Sequence, residues 1–296
     1  MSTKKTTILL LVFAGILAAC SSAATPCSEA EIGTGDNGLP DLGGCEFTFA
    51  VENAYLPFNY VDPSDGVAKG WDYDVFNYMA ELMNFTPVYV PFGWDGMIQA
   101  VADGQFDIAG DGITITADRD EIIDFSEGYI KISQRVMVST SNTEVTSIDD
   151  LKAGDYVVGV QKGTTNYEFA VGELGEAKVK AFDSFDFAIA AVISGDVDAS
   201  IIDETAGLGY MGANKDKVKL VGGDLTSEEL GFAFPNGSSL VSVVNAGLAE
   251  MKANGKLDEI NAKYFSPGFS VTYDDIAECD PQIPVEYLPE DCELDS

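Results

Sequence analysis

From residue 47 to residue 264 the chain alternates β-rich runs with segments whose apolar residues recur at helical spacing, joined by short loops. Such alternation calls for sheets covered by helices, an α/β architecture. Residues 47–51, 85–90, 156–160, 178–181, 198–202 and 218–221 read as strands. Val75, Phe76, Met79, Leu82 and Met83 mark a helix that Asp72 can cap, and residues 185–193 a helix closed by Gly195. Two further helices cover 240–251 and 257–264.

At 296 residues the chain has room for two domains with substantial cores. Its 49 acidic against 16 basic residues, with no histidine, give a formal charge of −33. A field of that sign sets nucleic acid aside as a partner and reads as a solvated acidic surface, suited to salty surroundings. Without histidine there is no Ser-His or Cys-His nucleophile pair and no His-bearing zinc site. Residues 62–66, Asp-Pro-Ser-Asp-Gly, look faintly like a calcium loop but lack its remaining oxygen ligands and closing Glu. They read as a turn, and neither metal nor cofactor is expected.

Lys4 and Lys5 precede a short apolar run over residues 8–17, the layout of a secretory signal and not of a spanning helix. Leu17-Ala18-Ala19-Cys20 resembles a bacterial lipobox, which implies removal of residues 1–19 and a lipid on Cys20 that holds the protein at a membrane. The alternative is an ordinary cleaved signal with Cys20 free. Residues 20–45, rich in Ser, Ala, Gly, Asp and Pro, read as a flexible tether, and residues 273–296 as an acidic tail. Cys27 and Cys45 bracket most of the tether, while Cys279 and Cys292 lie in the tail. In an exported chain these four suggest two disulfides, with three pairings open.

Residues 107–119, Asp-Ile-Ala-Gly-Asp-Gly-Ile-Thr-Ile-Thr-Ala-Asp-Arg, hold one of the chain's two arginines. They read as the end of a buried strand, two glycines that let backbone approach a ligand, and a helix start that places Arg119 one turn in. The guanidinium is a flat fork of donors matched to a carboxylate, and Thr114 with nearby N–H groups can bind the same oxygens. In so acidic a chain, Arg119 could instead close a surface ion pair.

Gly112 to Arg119, with Asp124-Phe125-Ser126 after it, resembles the Gly-x-Thr-Ile-Thr-x-x-Arg…Asp-Phe-Ser signature of extracytoplasmic solute-binding proteins that feed amino-acid ABC transporters. The same family has counterparts of Glu52 to Phe58, an acid followed by an aromatic and Pro-Phe, of Gly70 to Asp74, and of the Gln161-Lys162-Gly163-Thr164 loop. Leu230 to Phe234 resembles its returning hinge strand, with Leu-Gly where Tyr-Gly is frequent, and residues 257–264 its terminal helix. The likeness runs from about residue 47 to residue 265.

This resemblance implies a type II periplasmic-binding-protein fold, two α/β sandwich lobes joined by two hinge strands. One lobe would comprise residues 46–132 with 231–272, the other residues 133–230. It further implies that Gly112, Thr114 and Arg119 hold an α-carboxylate from one lobe. From the other lobe, Gln161, Thr164 and Thr165 meet the ligand, and Asp203 meets its ammonium group. Asp203 is also placed to cap the helix that follows. Glu52 would reach the ligand side chain, and Tyr55 would stack on it. Trp94 falls where an aromatic often covers the ligand, burial in an apolar core being the equal alternative. Asp111 departs from the small residue common at its position; it could join Glu52 around a cationic side chain, pair internally, or meet the ammonium group.

The implied function is capture of a polar, preferentially cationic amino acid in an interlobe cleft, with closure and delivery to a membrane permease by a monomeric, extracytoplasmic lipoprotein. No catalytic residue is expected. The rivals are an exported cyclohexadienyl-dehydratase-like enzyme, with Asp203 or Glu204 and Lys162 recast as acid and base, and a sensory amino-acid-binding module.

Overall fold

The computed structural model describes residues 25–27, 31–266 and 268–271. The expected signal peptide, Cys20, and the tail with Cys279 and Cys292 lie outside them. In chain order the main elements begin with β1 (Cys45–Val51), α1 (Trp71–Met83), β2 (Phe85–Pro91), α2 (Met97–Ala102), β3 (Ile108–Ala109), α3 (Ala117–Asp120), β4 (Ile123–Phe125) and β5 (Ile130–Ile132). There follow β6 (Gln134–Ser139), α4 (Ile148–Ala153), β7 (Val158–Gln161), α5 (Thr165–Leu174), β8 (Val179–Phe182), α6 (Phe185–Ser194), β9 (Ala199–Asp203), α7 (Glu204–Ala213) and β10 (Val218–Val221). Last come β11 (Glu228–Leu230), β12 (Ala233–Pro235), α8 (Leu240–Ala253) and α9 (Lys256–Tyr264).

Two five-stranded sheets result. The first has the order β2-β1-β3-β12-β4, so a strand from late in the chain sits between two early ones. β1 runs parallel to β2 and β3, and β12 antiparallel to β3 and β4. The second has the order β8-β7-β9-β6-β10, with β6 antiparallel to both neighbours. Between them β5 and β11 pair antiparallel, Ile130 opposite Leu230, as two strands crossing together.

Strand alternation distributes the core. Phe47, Phe49 and Val51 of β1 pack into one cluster with Phe76, Met79 and Met83 of α1, while Ala50 faces Met97 and Val101 of α2. Phe49 stacks on Phe76 at 4.5 Å between ring centroids. In the second sheet Val136, Val138, Val158, Val160 and Ile201 pack with Leu151 and Ala170 of α4 and α5, whereas Met137 and Ile202 face α6 and α7.

Three expectations change. Asp72 does not cap α1: the N-cap is Gly70, and Asp72 is fully buried one residue inside the helix, bonded to Asn59. Asp203 stands at the N-cap of α7, but its side chain makes no capping bond because both oxygens accept from elsewhere. Residues 31–44 are no free tether. Gly33–Thr34 pairs with Pro40–Asp41, Leu42 is buried, and the Asn37 side-chain amide donates to Leu82 O at 2.8 Å. Of the three open cysteine pairings, the described residues hold Cys27–Cys45, which ties this segment to the start of β1.

Candidate functional site

The loop after β3 is fixed by its neighbours on both sides. Gly110 has no room for a side chain: a Cβ there would lie 2.4 Å from Phe49 Cζ, so this glycine serves core packing. Gly112 is different, with φ +57° and a would-be Cβ 2.7 Å from Tyr55 Cε1. Beyond it the chain is tied to the crossing strands, because Ile115 N donates to Glu229 O and Gly231 N to Ile113 O, both at 2.9 Å. Thr116 then caps α3, its hydroxyl accepting from Arg119 N at 3.2 Å.

Arg119 is half-buried and turns one guanidinium nitrogen to Thr114 O at 2.8 Å, with its Cζ 5.2 Å from the centre of the Trp94 ring. No carboxylate lies within 4.0 Å of it among the described residues, so the surface ion pair is not formed. Burial pulls its pKa down, opposed by Glu168, Asp203 and Glu228, and an arginine keeps its charge through such a shift. The outcome is a cation with donors to spare, set on an aromatic face.

The facing wall comes from the second sheet. β7 ends at Gln161, and the loop turns into α5 at Thr164, whose hydroxyl caps the helix by accepting from Tyr167 N at 3.1 Å. Thr165 brings its hydroxyl to 3.4 Å from that of Thr114. The N-terminus of α5 thus confronts the Arg119 loop, and both favour a negative charge between them. At the end of β9, Asp203 is 2 % exposed and accepts from the Tyr55 hydroxyl at 2.6 Å and from Asn166 Nδ2 at 3.0 Å. Burial raises its pKa, while those two bonds and Arg119 lower it.

A second acidic group adjoins the same space. Asp111 is 4 % exposed and accepts from Asn59 Nδ2 at 2.8 Å; the same amide donates to Asp72 at 2.9 Å. Glu52 accepts from Gln161 Nε2 at 2.8 and 3.1 Å, a bond between the two walls. Burial pushes Glu52 and Asp72 each up to about 7 and Asp111 well above the usual carboxylate range.

Tyr55, Trp94, Asp111, Gly112, Thr114, Arg119, Gln161, Thr164, Thr165 and Asp203 therefore line one cavity. Glu52 does not line it and stands behind Gln161. Trp94 is both core and wall: it packs with Met97 and Val101, and its Nε1 donates to Gly163 O at 3.1 Å. Asn166 and Phe185 also line the cavity and were not anticipated, although Asn166 directly follows the Thr-Thr helix start. Lys162 and Glu204 point elsewhere, Lys162 to Asp95 and Asp183 at 3.0 and 2.9 Å, Glu204 to Arg135 at 3.0 Å. They do not join Asp203 as an acid–base set.

A cavity with a cationic fork and a helix N-terminus for an anion, a buried aspartate for a cation, and further carboxylates alongside can hold a small zwitterion. Comparison with known proteins agrees. Residues 47–267 match the bacterial extracellular solute-binding proteins, family 3. A "Probable histidine-binding protein" of Neisseria gonorrhoeae is 33% identical over 231 residues, 75% of this chain and 84% of that protein. Among solved structures, an ancestral arginine-binding protein bound to arginine superposes with a TM-score of 0.69 at 33% identity, covering 75% of this chain and 98% of that one. An ancestral amino acid-binding protein described as a precursor of cyclohexadienyl dehydratase gives 0.70 at 34% identity, covering 75% and 96%.

Proposed function

As the chain belongs to the family 3 bacterial extracellular solute-binding proteins, we propose that it captures a cationic amino acid and presents it to the permease of an ABC transporter. The observation that carries this is Arg119, a charged, half-buried guanidinium with no carboxylate partner among the described residues of a chain with 49 acids. In this reading Arg119, Thr114 and the backbone N–H groups at Thr164 and Thr165 take the ligand carboxylate, and Asp203 takes the ammonium group. Asp111, backed by Glu52, takes a positively charged side chain. Arg119 is the one basic residue among those lining the cavity, which disfavours acidic ligands.

Because the contacts come from both sheets, a ligand binds the closed arrangement more tightly than an open one and shifts the population toward closure. The permease then recognises the closed shape. Sheet membership supports the lobe boundaries expected above, 46–132 with 231–272 and 133–230. The protein acts as a monomer outside the cytoplasm, held to the membrane by a lipid on Cys20, without catalysing a reaction. Replacing Cys20 with Ser should release it from membranes.

The deciding experiment is a thermal-shift panel of the twenty amino acids on the full chain in detergent. Arginine or lysine should raise the melting temperature most, with glutamate and aspartate silent. Stabilisation by acidic amino acids alone would overturn the assignment, as would turnover of prephenate or arogenate.

A further inference from the structure

The charged groups around the cavity fall into two sets. Arg119 acts electrostatically on Glu168, Asp203 and Glu228. Asp111, in contrast, has Glu52 and Asp72 as its charged neighbours, and Glu52 has Asp186. No lysine or arginine nitrogen comes within 4.0 Å of Glu52, Asp72, Asp111 or Asp186 among the described residues.

Hydrogen bonding makes up only part of the deficit, Glu52 accepting from Gln161 Nε2 and from Trp94 N. A single amide group, Asn59 Nδ2, supplies both Asp72 and Asp111, and its Oδ1 is taken by Asn53 N at 2.6 Å. Asp72 Oδ1 and the Tyr129 hydroxyl are buried with no protein partner. The other groups facing the set are the phenols of Tyr55, Tyr73, Tyr89 and Tyr210, and Tyr210 donates to Asp186 at 2.8 Å. Carboxylates gathered in so dry a place without a counter-ion cannot all ionise together.

We propose that the protein exchanges a proton for the charge on the ligand side chain: the Glu52–Asp111–Asp72 cluster holds the proton before capture and yields it to solvent as the cation arrives. The O–H bond of the protonated carboxyl breaks, the proton passes to water and buffer, and the N–H donors of the guanidinium or ammonium group reach Asp111, the member of the cluster that lines the cavity. The charge within the cavity is then the same before and after. Burial, which pushes Glu52 and Asp72 up to about 7, makes the exchange active near neutral pH. This inference rests on the cationic reading of the site.

Calorimetry of the full chain with L-arginine, in phosphate and in imidazole at pH 7, tests it. The heats should differ by roughly one-half to one proton released per ligand, and affinity should tighten by up to about tenfold per pH unit on approaching pH 7 from below. L-Glutamine, which carries the same carboxylate and ammonium groups, should give equal heats in both buffers if it binds. Arginine binding with equal heats in the two buffers overturns the exchange while leaving the cationic reading intact. A buffer difference that survives in both Asp111→Asn and Glu52→Gln overturns the assignment to this cluster; should either variant fail to fold, the arginine–glutamine contrast in the unaltered protein decides. Binding of neither arginine nor lysine overturns the cationic reading, and the exchange with it.

Discussion

The Tyr55 hydroxyl donates to Asp203 Oδ2 at 2.6 Å, joining the short strand Ala54–Tyr55 that follows β1 to the end of β9 in the second sheet. Tyr55 is held for this by Phe58 and Phe185, whose rings stack on it at 5.5 and 5.2 Å. A hydrogen bond to a buried carboxylate is worth about 1.5–3 kcal/mol. Tyr55→Phe should therefore weaken arginine binding about tenfold to a hundredfold by calorimetry, with the ring stack retained. Unchanged affinity would show that Asn166 alone suffices to orient Asp203.

Arg119→Ala removes the fork and its charge from a half-buried position. Truncating one partner of such a charge pair costs about 2–5 kcal/mol, so affinity should fall at least about thirtyfold and the ligand-induced melting shift should vanish. Arg119→Lys should restore only part of it, because a single ammonium cannot match two carboxylate oxygens. A melting shift preserved in Arg119→Ala would count against the carboxylate clamp.

Gly112 combines a left-handed backbone with a Tyr55 ring that leaves no room for a Cβ. Gly112→Ala should incur about 1–2 kcal/mol for the backbone alone and displace Tyr55 as well. The expected outcome is a lower melting temperature together with weaker binding. Gly172→Ala, in α5 with nothing within 4 Å of the added methyl, serves as the control and should raise the melting temperature slightly. If the two variants behave alike, crowding at Gly112 is not what limits the site.

Asp72 ionises only at about 7 in the folded chain, up from 3.8 for a free aspartate, chiefly through burial and in spite of its bond from Asn59. Between those values the folded chain keeps a proton that the unfolded chain has lost, so stability from this group is full at low pH and declines as pH rises toward 7. Asn cannot ionise, so Asp72→Asn should gain on the unaltered protein from pH 5 to pH 8, by at most about 3 kcal/mol. Urea denaturation across that range measures it, and parallel profiles for the two proteins would refute it.

Much of the fold was legible because the strand and helix periods are local, and the elements found on both sides of the cavity follow the predicted runs closely. The stretches 112–119 and 161–165 could be read because each is a continuous piece of chain that carries its own backbone geometry. The Asn59 bridge was hidden for the opposite reason. Its acceptors lie 13 and 52 positions away, and nothing in either neighbourhood marks them as partners. Asp72 misled because an acid ahead of a helical run reads as a cap whether it faces water or the core. Glu52 lay close to the expected place, but the side chain of Gln161 comes between it and the cavity.

The placement of β12 between β3 and β4 bears on how the molecule is made. Residues 45–125 supply four strands of the first sheet, yet the sheet has a gap until Ala233–Pro235 fills it. The second sheet is drawn from one unbroken stretch, Gln134 to Val221, and owes nothing to what comes later. A chain emerging from the ribosome can therefore finish its later-made half first, while the earlier-made half stays unfinished until nearly four-fifths of the polypeptide is out.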